Sequence, residues 1–361
     1  MASLESLTEL GQSPWLDNLR RDWLQDGTLS RWVEGGIRGL TSNPSIFQKA
    51  ISGSELYDQQ FSSLLGEGRS VNEAYWAMVT SDIEGALDVL APVHDASDGV
   101  DGYVSVEVDP SLANDTDGTI EAARHLHQSI DRPNLMVKIP GTEAGLPAIR
   151  QMIAEKRSIN VTLIFSVERY RDVMEAYISG LEAAEGDLSG IASVASFFIS
   201  RVDTEIDKRL DAIGTDQALA LRGKGAVAQA RAAYCAFLDT FSGPRWQALA
   251  DRGARVQRPL WASTSTKNPD YPDTLYVDTL IGPDTVNTMP DATIDAFLDH
   301  GQASRSIDVG IPEALATLSQ ISTAGVDLAD VSEVLEAEGV KAFIDSFDDL
   351  ISTLEGKAGS A

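Results

Sequence analysis

Eight short apolar or β-branched runs, most of them separated by longer amphipathic segments, predict an α/β protein with a parallel sheet. Eight strands close a (β/α)8 TIM barrel, and a chain of 361 residues is long enough for one. The doubly wound open sheet is the alternative fold. It usually has a Gly-rich phosphate-binding turn after its first strand, and no G-x-G-x-x-G pattern occurs here. We therefore predict one (β/α)8 barrel domain over residues 1–361, with extra helices.

The predicted strands occupy residues 15–19, 37–43, 102–108, 135–140, 159–165, 191–198, 259–263 and 274–280. Helical periodicity predicts helices between most of them, over residues 73–90, 120–130, 143–154, 167–184 and 200–213. Two more helical stretches, 216–241 and 329–353, are additional to a minimal barrel. No Pro-rich or Ser-rich linker, fixed-period repeat or low-complexity segment divides the chain, which favours one domain.

The charge of the chain restricts its partners. The formal net charge is −27, from 28 Lys and Arg against 55 Asp and Glu. A surface this acidic repels nucleic acid and anionic membranes, because phosphate binding needs clustered cations. We expect neither as a partner. An anionic substrate would need a local positive pocket, which is feasible because salt screens the distant charges over about 8–10 Å.

The chain begins without the basic start and apolar run of a signal peptide, and no stretch of about 18 apolar residues could span a membrane. Cys235 is the only cysteine, so no internal disulfide can form. These features predict a cytoplasmic protein, and we expect a monomer or a homodimer.

Polar side chains recur where the predicted strands end. In an enzyme barrel the C-terminal strand ends carry the active site, and residues two apart on a strand share a face. Buried polar groups cost free energy unless they are bonded, so their recurrence predicts a function at this end. The candidates are Thr41 with Asn43, Ser105 with Glu107, Asn160 with Thr162, Ser196 with Phe198 and then Arg201, and Asp17 towards the end of the first predicted strand.

Lys138 is the most informative of these side chains, because it lies within the apolar run of residues 135–140. Removing an amine from water favours its neutral form, which is the form that attacks carbonyls. Two interpretations remain open at this point. Lys138 could be a nucleophile, or it could pair with Glu107 on the neighbouring strand for structural reasons only. Glu107 could likewise be a counter-charge or a proton shuttle, and Asn160 a core amide or a substrate ligand.

Two segments resemble the signatures of the transaldolase family. Residues 39–47 read Gly-Leu-Thr-Ser-Asn-Pro-Ser-Ile-Phe and are similar to the first signature. Residues 135–145 read Leu-Met-Val-Lys-Ile-Pro-Gly-Thr-Glu-Ala-Gly and are similar to the second, which carries the family's Schiff-base lysine at the position of Lys138. Shorter matches follow in family order at residues 106–109, 160–166 and 196–201. The chain also resembles the transaldolase half of chains fused to glucose-6-phosphate isomerase, without the isomerase.

The resemblance implies a (β/α)8 barrel that transfers a dihydroxyacetone unit between sugar phosphates in the non-oxidative pentose phosphate pathway. The donor would be sedoheptulose 7-phosphate or fructose 6-phosphate, and the acceptor glyceraldehyde 3-phosphate or erythrose 4-phosphate. It implies that Lys138 forms a Schiff base with the ketose, that Glu107 moves protons through a water held by Thr162, and that Asp17 takes the proton of the C4 hydroxyl. No cofactor is implied.

The resemblance also implies substrate ligands. Asn43 and Asn160 would hold the hydroxyls of the dihydroxyacetone unit, and Thr41 shares a strand face with Asn43. Ser196 and Arg201 would bind phosphate, and Phe198 would shield the intermediate from water. Residues 265–268 read Ser-Thr-Lys-Asn where the family commonly has Ser-Phe-Arg-Asn. Lys267 would therefore bind phosphate through a single ammonium charge, whereas an arginine can donate two parallel hydrogen bonds.

Other functions are compatible with a barrel that contains a lysine. A related Schiff-base aldolase would release the fragment of fructose 6-phosphate instead of transferring it; Phe198, which offers no hydroxyl for protonation, argues against this. A non-catalytic sugar-phosphate-binding barrel would not need a reactive amine, and a pyridoxal-phosphate enzyme would not carry these motifs. A zinc-dependent aldolase would need converging histidines, but His125 and His127 are two apart on a helix and face different sides. We expect no metal.

Overall fold

The protein is described by a computed structural model that covers residues 2–359. Eight parallel strands form a closed barrel in sequence order, and β8 pairs with β1. The strands are β1 Gln12–Leu16, β2 Gly39–Thr41, β3 Tyr103–Glu107, β4 Leu135–Pro140, β5 Ile159–Ile164, β6 Ser193–Phe198, β7 Arg258–Ala262 and β8 Thr285–Met289. The predicted (β/α)8 barrel is confirmed.

Helices precede β1, follow or connect the strands, and continue after β8. They are α1 Leu4–Glu9, α2 Arg21–Gln25, α3 Thr28–Glu34, α4 Pro44–Ser52, α5 Asp58–Gly66, α6 Val71–Ala96, α7 Thr116–Ile130, α8 Gly145–Ala154, α9 Val167–Ala183, α10 Ser200–Ile213, α11 Asp216–Leu219, α12 Gly225–Thr240, α13 Gly243–Ala250, α14 Leu275–Asp278, α15 Asp291–His300, α16 Ile311–Ala324 and α17 Leu328–Ala358. Short 3-10 turns lie at Glu55–Tyr57 and Pro110–Asn114. Within residues 2–359, no helix is long and apolar enough to cross a membrane.

The predicted eighth strand at residues 274–280 is wrong. This segment contains α14, and the Thr274 hydroxyl donates to Asp278 four residues later, as in a helical turn. The true eighth strand, β8, follows the turn at residues 282–284. It was missed because Thr285, Asn287 and Thr288 are polar, so it has no apolar run, yet all three are buried.

Other boundaries differ less. The first strand begins and ends three residues earlier than predicted, so Asp17 follows it directly. The second strand ends at Thr41, and Asn43 instead caps α4: its side chain accepts a hydrogen bond from the Ile46 amide. The predicted helix over 216–241 is divided into α11 and α12 by a turn in which Gly223 has φ +69°.

The barrel interior is packed tightly around Gly39. This residue pairs with Trp15 across β1 and β2, and the Trp15 indole occupies the space that a side chain at position 39 would need. A Cβ atom at position 39 would lie only 2.6 Å from Trp15 Nε1. The glycine that begins the first signature-like segment therefore makes room for a fully buried tryptophan.

The C-terminal helix α17 packs against α4, α6, α10 and β5, and Phe343 on this helix lines the cavity at the C-terminal end of the barrel. The close approach of α17 to β5 depends on Gly339, where a Cβ atom would lie 2.9 Å from Leu163 Cδ2. The helix predicted as an extra element at 329–353 is therefore present, and it covers part of the barrel mouth.

Replacement of Gly39 by Ala should lower the melting temperature, because the added methyl must displace the Trp15 ring. Overpacking of a core typically costs about 1–3 kcal/mol. Gly66→Ala is the matched control, since a Cβ atom there meets nothing within 4 Å. Differential scanning calorimetry should show a loss only for Gly39→Ala; equal melting temperatures would contradict this account of Gly39.

Candidate active site

Nine of the eleven predicted site residues line one cavity of about 120 Å³ at the C-terminal ends of the strands. The lining side chains come from strands β2, β4, β5 and β6 and from segments that directly follow strands. They are Asp17, Thr41, Asn43, Lys138, Thr162, Ser196, Phe198, Arg201 and Lys267. Glu107 and Asn160 lie behind this layer and contact it through hydrogen bonds.

Lys138 and Glu107 form a buried ion pair. They are register partners on β4 and β3, and Lys138 Nζ lies 3.1 Å from Glu107 Oε2. Their side chains are only 6% and 3% exposed, respectively. Lys138 Nζ also donates to the Ser42 carbonyl at 2.9 Å. The ammonium is thus held by two acceptors while its side chain borders the cavity.

The Glu107 carboxyl has a high affinity for a proton. Burial raises its pKa, the adjacent Lys138 charge opposes this, and the negative charge of Asp17 adds to the rise. Within the described residues, the Glu107 Oε1 atom is buried and accepts no hydrogen bond. A carboxyl group in this state can take up and return a proton beside the amine.

Asp17 is a second carboxyl with a raised pKa, and burial is again the main cause. Lys138, a hydrogen bond from Thr41, Lys267 and Arg201 each lower it, in that order. The Thr41 hydroxyl lies 2.8 Å from Asp17 Oδ1 and 2.7 Å from Thr288 Oγ1 on β8. The closure of the barrel between β8 and β1 therefore fixes the orientation of this carboxylate.

Asn160 does not line the cavity. It is 0% exposed, and its amide nitrogen donates to Ser105 Oγ at 3.0 Å. Its amide oxygen accepts a hydrogen bond of 2.8 Å from Ser196 Oγ. In this structure Asn160 therefore fixes Ser196, which does face the cavity.

Two residues with left-handed backbone conformations flank the cavity. Leu163 has φ +59° at a bulge between β5 and β6, directly after Thr162. Ser263 has φ +57° directly after β7, and its hydroxyl lies 2.8 Å from that of Ser200. Non-glycine residues rarely adopt this conformation, and such outliers often occur at functional sites.

Arg201 and Lys267 form a local positive charge at the cavity. The Arg201 guanidinium lies 5.2 Å from the centre of the Phe198 ring, and Lys267 Nζ donates to Ser265 Oγ at 2.7 Å. Among residues 2–359, neither makes a salt bridge. The pKa of each is lowered, mainly by burial, and the Arg201 charge further lowers that of Lys267. Two adjacent cations without carboxylate partners can accommodate an anion.

Sequence reasoning missed Phe343. Its ring centre lies 6.0 Å from Lys138 Nζ, and its side chain is 5% exposed. It belongs to α17, whose distance in sequence from the signature-like segments gave no signal that it reaches the cavity. The spacing of Phe343 and Phe347 by four residues is typical of one face of a helix and does not indicate contact with a cavity.

A sequence profile of the Transaldolase/Fructose-6-phosphate aldolase family matches residues 14–354. The chain belongs to this family. It is 53% identical over 365 residues to a transaldolase of Mycolicibacterium paratuberculosis, covering 99% of this chain and 98% of the relative. Transaldolases of Parafrankia sp. and Thermobifida fusca are each 52% identical; the first match covers 99% of this chain and 98% of the relative, the second 96% of both. The family resemblance seen in the sequence is confirmed.

Replacement of Lys267 by Met should raise the pKa of Asp17 further, because the positive charge at position 267 lowers it. The Asp17 carboxylate would then become protonated at a higher pH. NMR titration of protein labelled with ¹³C at the aspartate carboxyls measures this directly. Lys156→Met, at an exposed position before β5, removes a charge at the other end of the barrel and should leave the Asp17 titration unchanged. A fall in the Asp17 pKa with Lys267→Met would contradict the assignment.

Proposed function

We propose that this protein is a transaldolase, which moves a dihydroxyacetone unit from a ketose phosphate to an aldose phosphate through a Schiff base on Lys138. The donor is sedoheptulose 7-phosphate or fructose 6-phosphate, and the acceptor is glyceraldehyde 3-phosphate or erythrose 4-phosphate. The observation that carries the proposal is the buried pair of Lys138 and Glu107 beside a cavity that also contains Asp17 and two cations. Membership of the family and the names of the relatives support it.

In the first stage, the neutral amine of Lys138 attacks C2 of the ketose, and the resulting carbinolamine loses water to give an iminium ion. Lys138 must transfer a proton before it can attack, and Glu107 accepts a hydrogen bond from it at 3.1 Å. The raised pKa of Glu107 suits a group that takes up this proton and later delivers one to the departing hydroxyl. Thr162 lines the same cavity and holds the water that relays these protons.

In the second stage, the Asp17 carboxylate removes the proton of the C4 hydroxyl. The C3–C4 bond breaks, its electrons enter the iminium group to give an enamine, and an aldose phosphate leaves. The acceptor aldehyde then forms a new bond to C3, and Asp17 returns its proton to the new hydroxyl. Hydrolysis of the Schiff base by one water releases the product and restores the Lys138 amine. No cofactor takes part in these steps.

Transfer competes with protonation of the enamine, which would make the protein an aldolase that cleaves fructose 6-phosphate. Phe198 favours transfer, because it lines the cavity with an apolar ring and no hydroxyl. Its ring lies 5.0 Å, centre to centre, from that of Phe165. Together these rings limit access of water to the intermediate on this side.

Substrate orientation is assigned to the remaining cavity residues. Arg201, Lys267 and Ser196 bind the phosphate, which a protein with a net charge of −27 can do only through such a local cluster. Asn43 and Thr41 lie at the opposite wall, next to Asp17, and bind substrate hydroxyls. Asn160 acts on the substrate through Ser196. The single domain, the cytoplasmic location and the monomeric or homodimeric state remain predictions.

Borohydride reduction in the presence of fructose 6-phosphate should attach a three-carbon adduct to the peptide that contains Lys138. Mass spectrometry of a digest identifies the position. Lys138→Arg should give no adduct, since a guanidinium stays protonated and does not attack carbonyls. An adduct on Lys267 or Lys49, or an active enzyme without any adduct, would disprove the proposed role of Lys138.

Glu107→Gln and Asp17→Asn should slow different stages. Glu107→Gln should reduce the rate at which the adduct forms, whereas Asp17→Asn should form the adduct but release the aldose phosphate slowly. General acid–base catalysis typically contributes about 10²- to 10⁴-fold, so each loss should lie in this range. Rapid-quench trapping and a coupled assay for the released aldehyde separate the two rates. Failure of Asp17→Asn to form any adduct would contradict this division.

A further inference from the structure

We propose that Lys49 forms an outer phosphate site, which binds the phosphate of the seven-carbon ketose more strongly than that of the six-carbon ketose. This inference rests on the proposed function, because it concerns the donor that the site accepts. Lys49 lies outside the signature-like segments and was not among the candidate residues of the sequence analysis.

A chamber of about 630 Å³ extends outward from the catalytic cavity. The two spaces adjoin, because they share the lining residues Asp17, Asn43, Arg201, Lys267 and Pro290. A substrate attached to Lys138 in the inner cavity can therefore extend past Arg201 and Lys267 into the chamber.

Helix α4 forms one wall of this chamber. Ile46, Lys49, Ala50 and Gly53 all line it, and their spacing of three and four residues places them on one side of the helix. The helix begins next to Asn43, which borders both spaces. Lys49 is six residues further along, which corresponds to about 9 Å of helix axis. Its side chain is exposed and lines the chamber beyond the inner cavity, which it does not border.

Lys49 has no side-chain hydrogen-bond or salt-bridge partner among residues 2–359, unlike Arg20 and Arg21 of the chamber wall. Arg20 pairs with Asp22, and Arg21 forms a buried ion pair with Asp82 at 2.7 Å. The Lys49 charge is close enough to contribute to the lowered pKa of Lys267. Arg201, Lys267 and Lys49 thus place three positive charges without a salt bridge around one space. Asp17 and Asp291 line the same space, so one positive charge remains in excess, which favours an anion there.

The two donors differ in where their phosphate lies. The Schiff base fixes C2 at Lys138, so the phosphate of the seven-carbon ketose is one carbon–carbon bond of about 1.5 Å further out along the chain. A pair of cations at a fixed depth cannot hold both phosphates equally well. The long side chain of Lys49, outside Arg201 and Lys267, can reach the more distant phosphate of the seven-carbon ketose. The phosphate of the six-carbon ketose lies further from Lys49, so its binding depends less on this residue.

The test is borohydride trapping of the donor adduct alone, which needs no acceptor, as a function of donor concentration. Lys49→Gln should raise the half-saturating concentration of sedoheptulose 7-phosphate by about threefold to tenfold, the range for losing a partly exposed charge contact. That of fructose 6-phosphate should change by less than about twofold. Trapping of unphosphorylated fructose should not change, and Lys49→Arg should restore the wild-type values.

Lys156→Gln is the matched control, because it removes one exposed lysine of the same charge before β5, away from the chamber. Equal effects of Lys49→Gln on both ketose phosphates, or no effect on either, would overturn the outer site and leave the proposed function intact. Failure of the wild-type protein and of Lys156→Gln to form an adduct with any donor would instead overturn the proposed function. The two failures are therefore distinguishable.

Discussion

The site depends on one buried ion pair, in which Lys138 Nζ lies 3.1 Å from a Glu107 carboxylate oxygen. Neither charge could remain in the barrel interior without the other, because removing one partner of a buried pair typically costs about 3–5 kcal/mol. The register of β3 against β4 makes Glu107 and Lys138 direct neighbours. In the proposed mechanism, the same interaction places a proton acceptor beside the amine that loses a proton. The ion pair that makes burial of both charges possible is thus also the pair to which we assign the first proton transfer.

A second constraint is the excess of negative charge. A chain with a net charge of −27 repels the sugar phosphates that we propose as its substrates. Two cations offset this repulsion at the cavity, because Arg201 and Lys267 border it and neither is neutralised by a salt bridge within the described residues. Most acidic side chains lie at greater distance and are screened by salt over about 8–10 Å. Phosphate binding then depends on a few unpaired cations and not on the overall field.

The C-terminal helix α17 shows that the barrel alone does not complete the cavity. Gly339 allows this helix to pack against Leu163 and Phe165 at the end of β5. Phe343 then lies 6.0 Å from Lys138 Nζ, and Phe347 packs edge-on against Tyr75 of α6 at 5.3 Å between ring centres. This helix therefore limits the contact of Lys138 with water on one side of the cavity.

The sequence by itself determined the barrel, because seven of the eight strands have apolar runs. It also predicted eleven site residues, and nine of them lie within strands or in the segments after strands and line one cavity. It misplaced the eighth strand, since β8 is built from buried polar residues whose hydrogen bonds come from other elements. Only the tertiary structure decided that Asn160 lies beneath the cavity lining and accepts a hydrogen bond from Ser196, that Phe343 lines the cavity, and that Lys49 lines the outer chamber. The reason is that strand ends converge in any closed parallel barrel. Packing between segments far apart in the chain, in contrast, decides the positions of α4 and α17 and the partners of a buried amide.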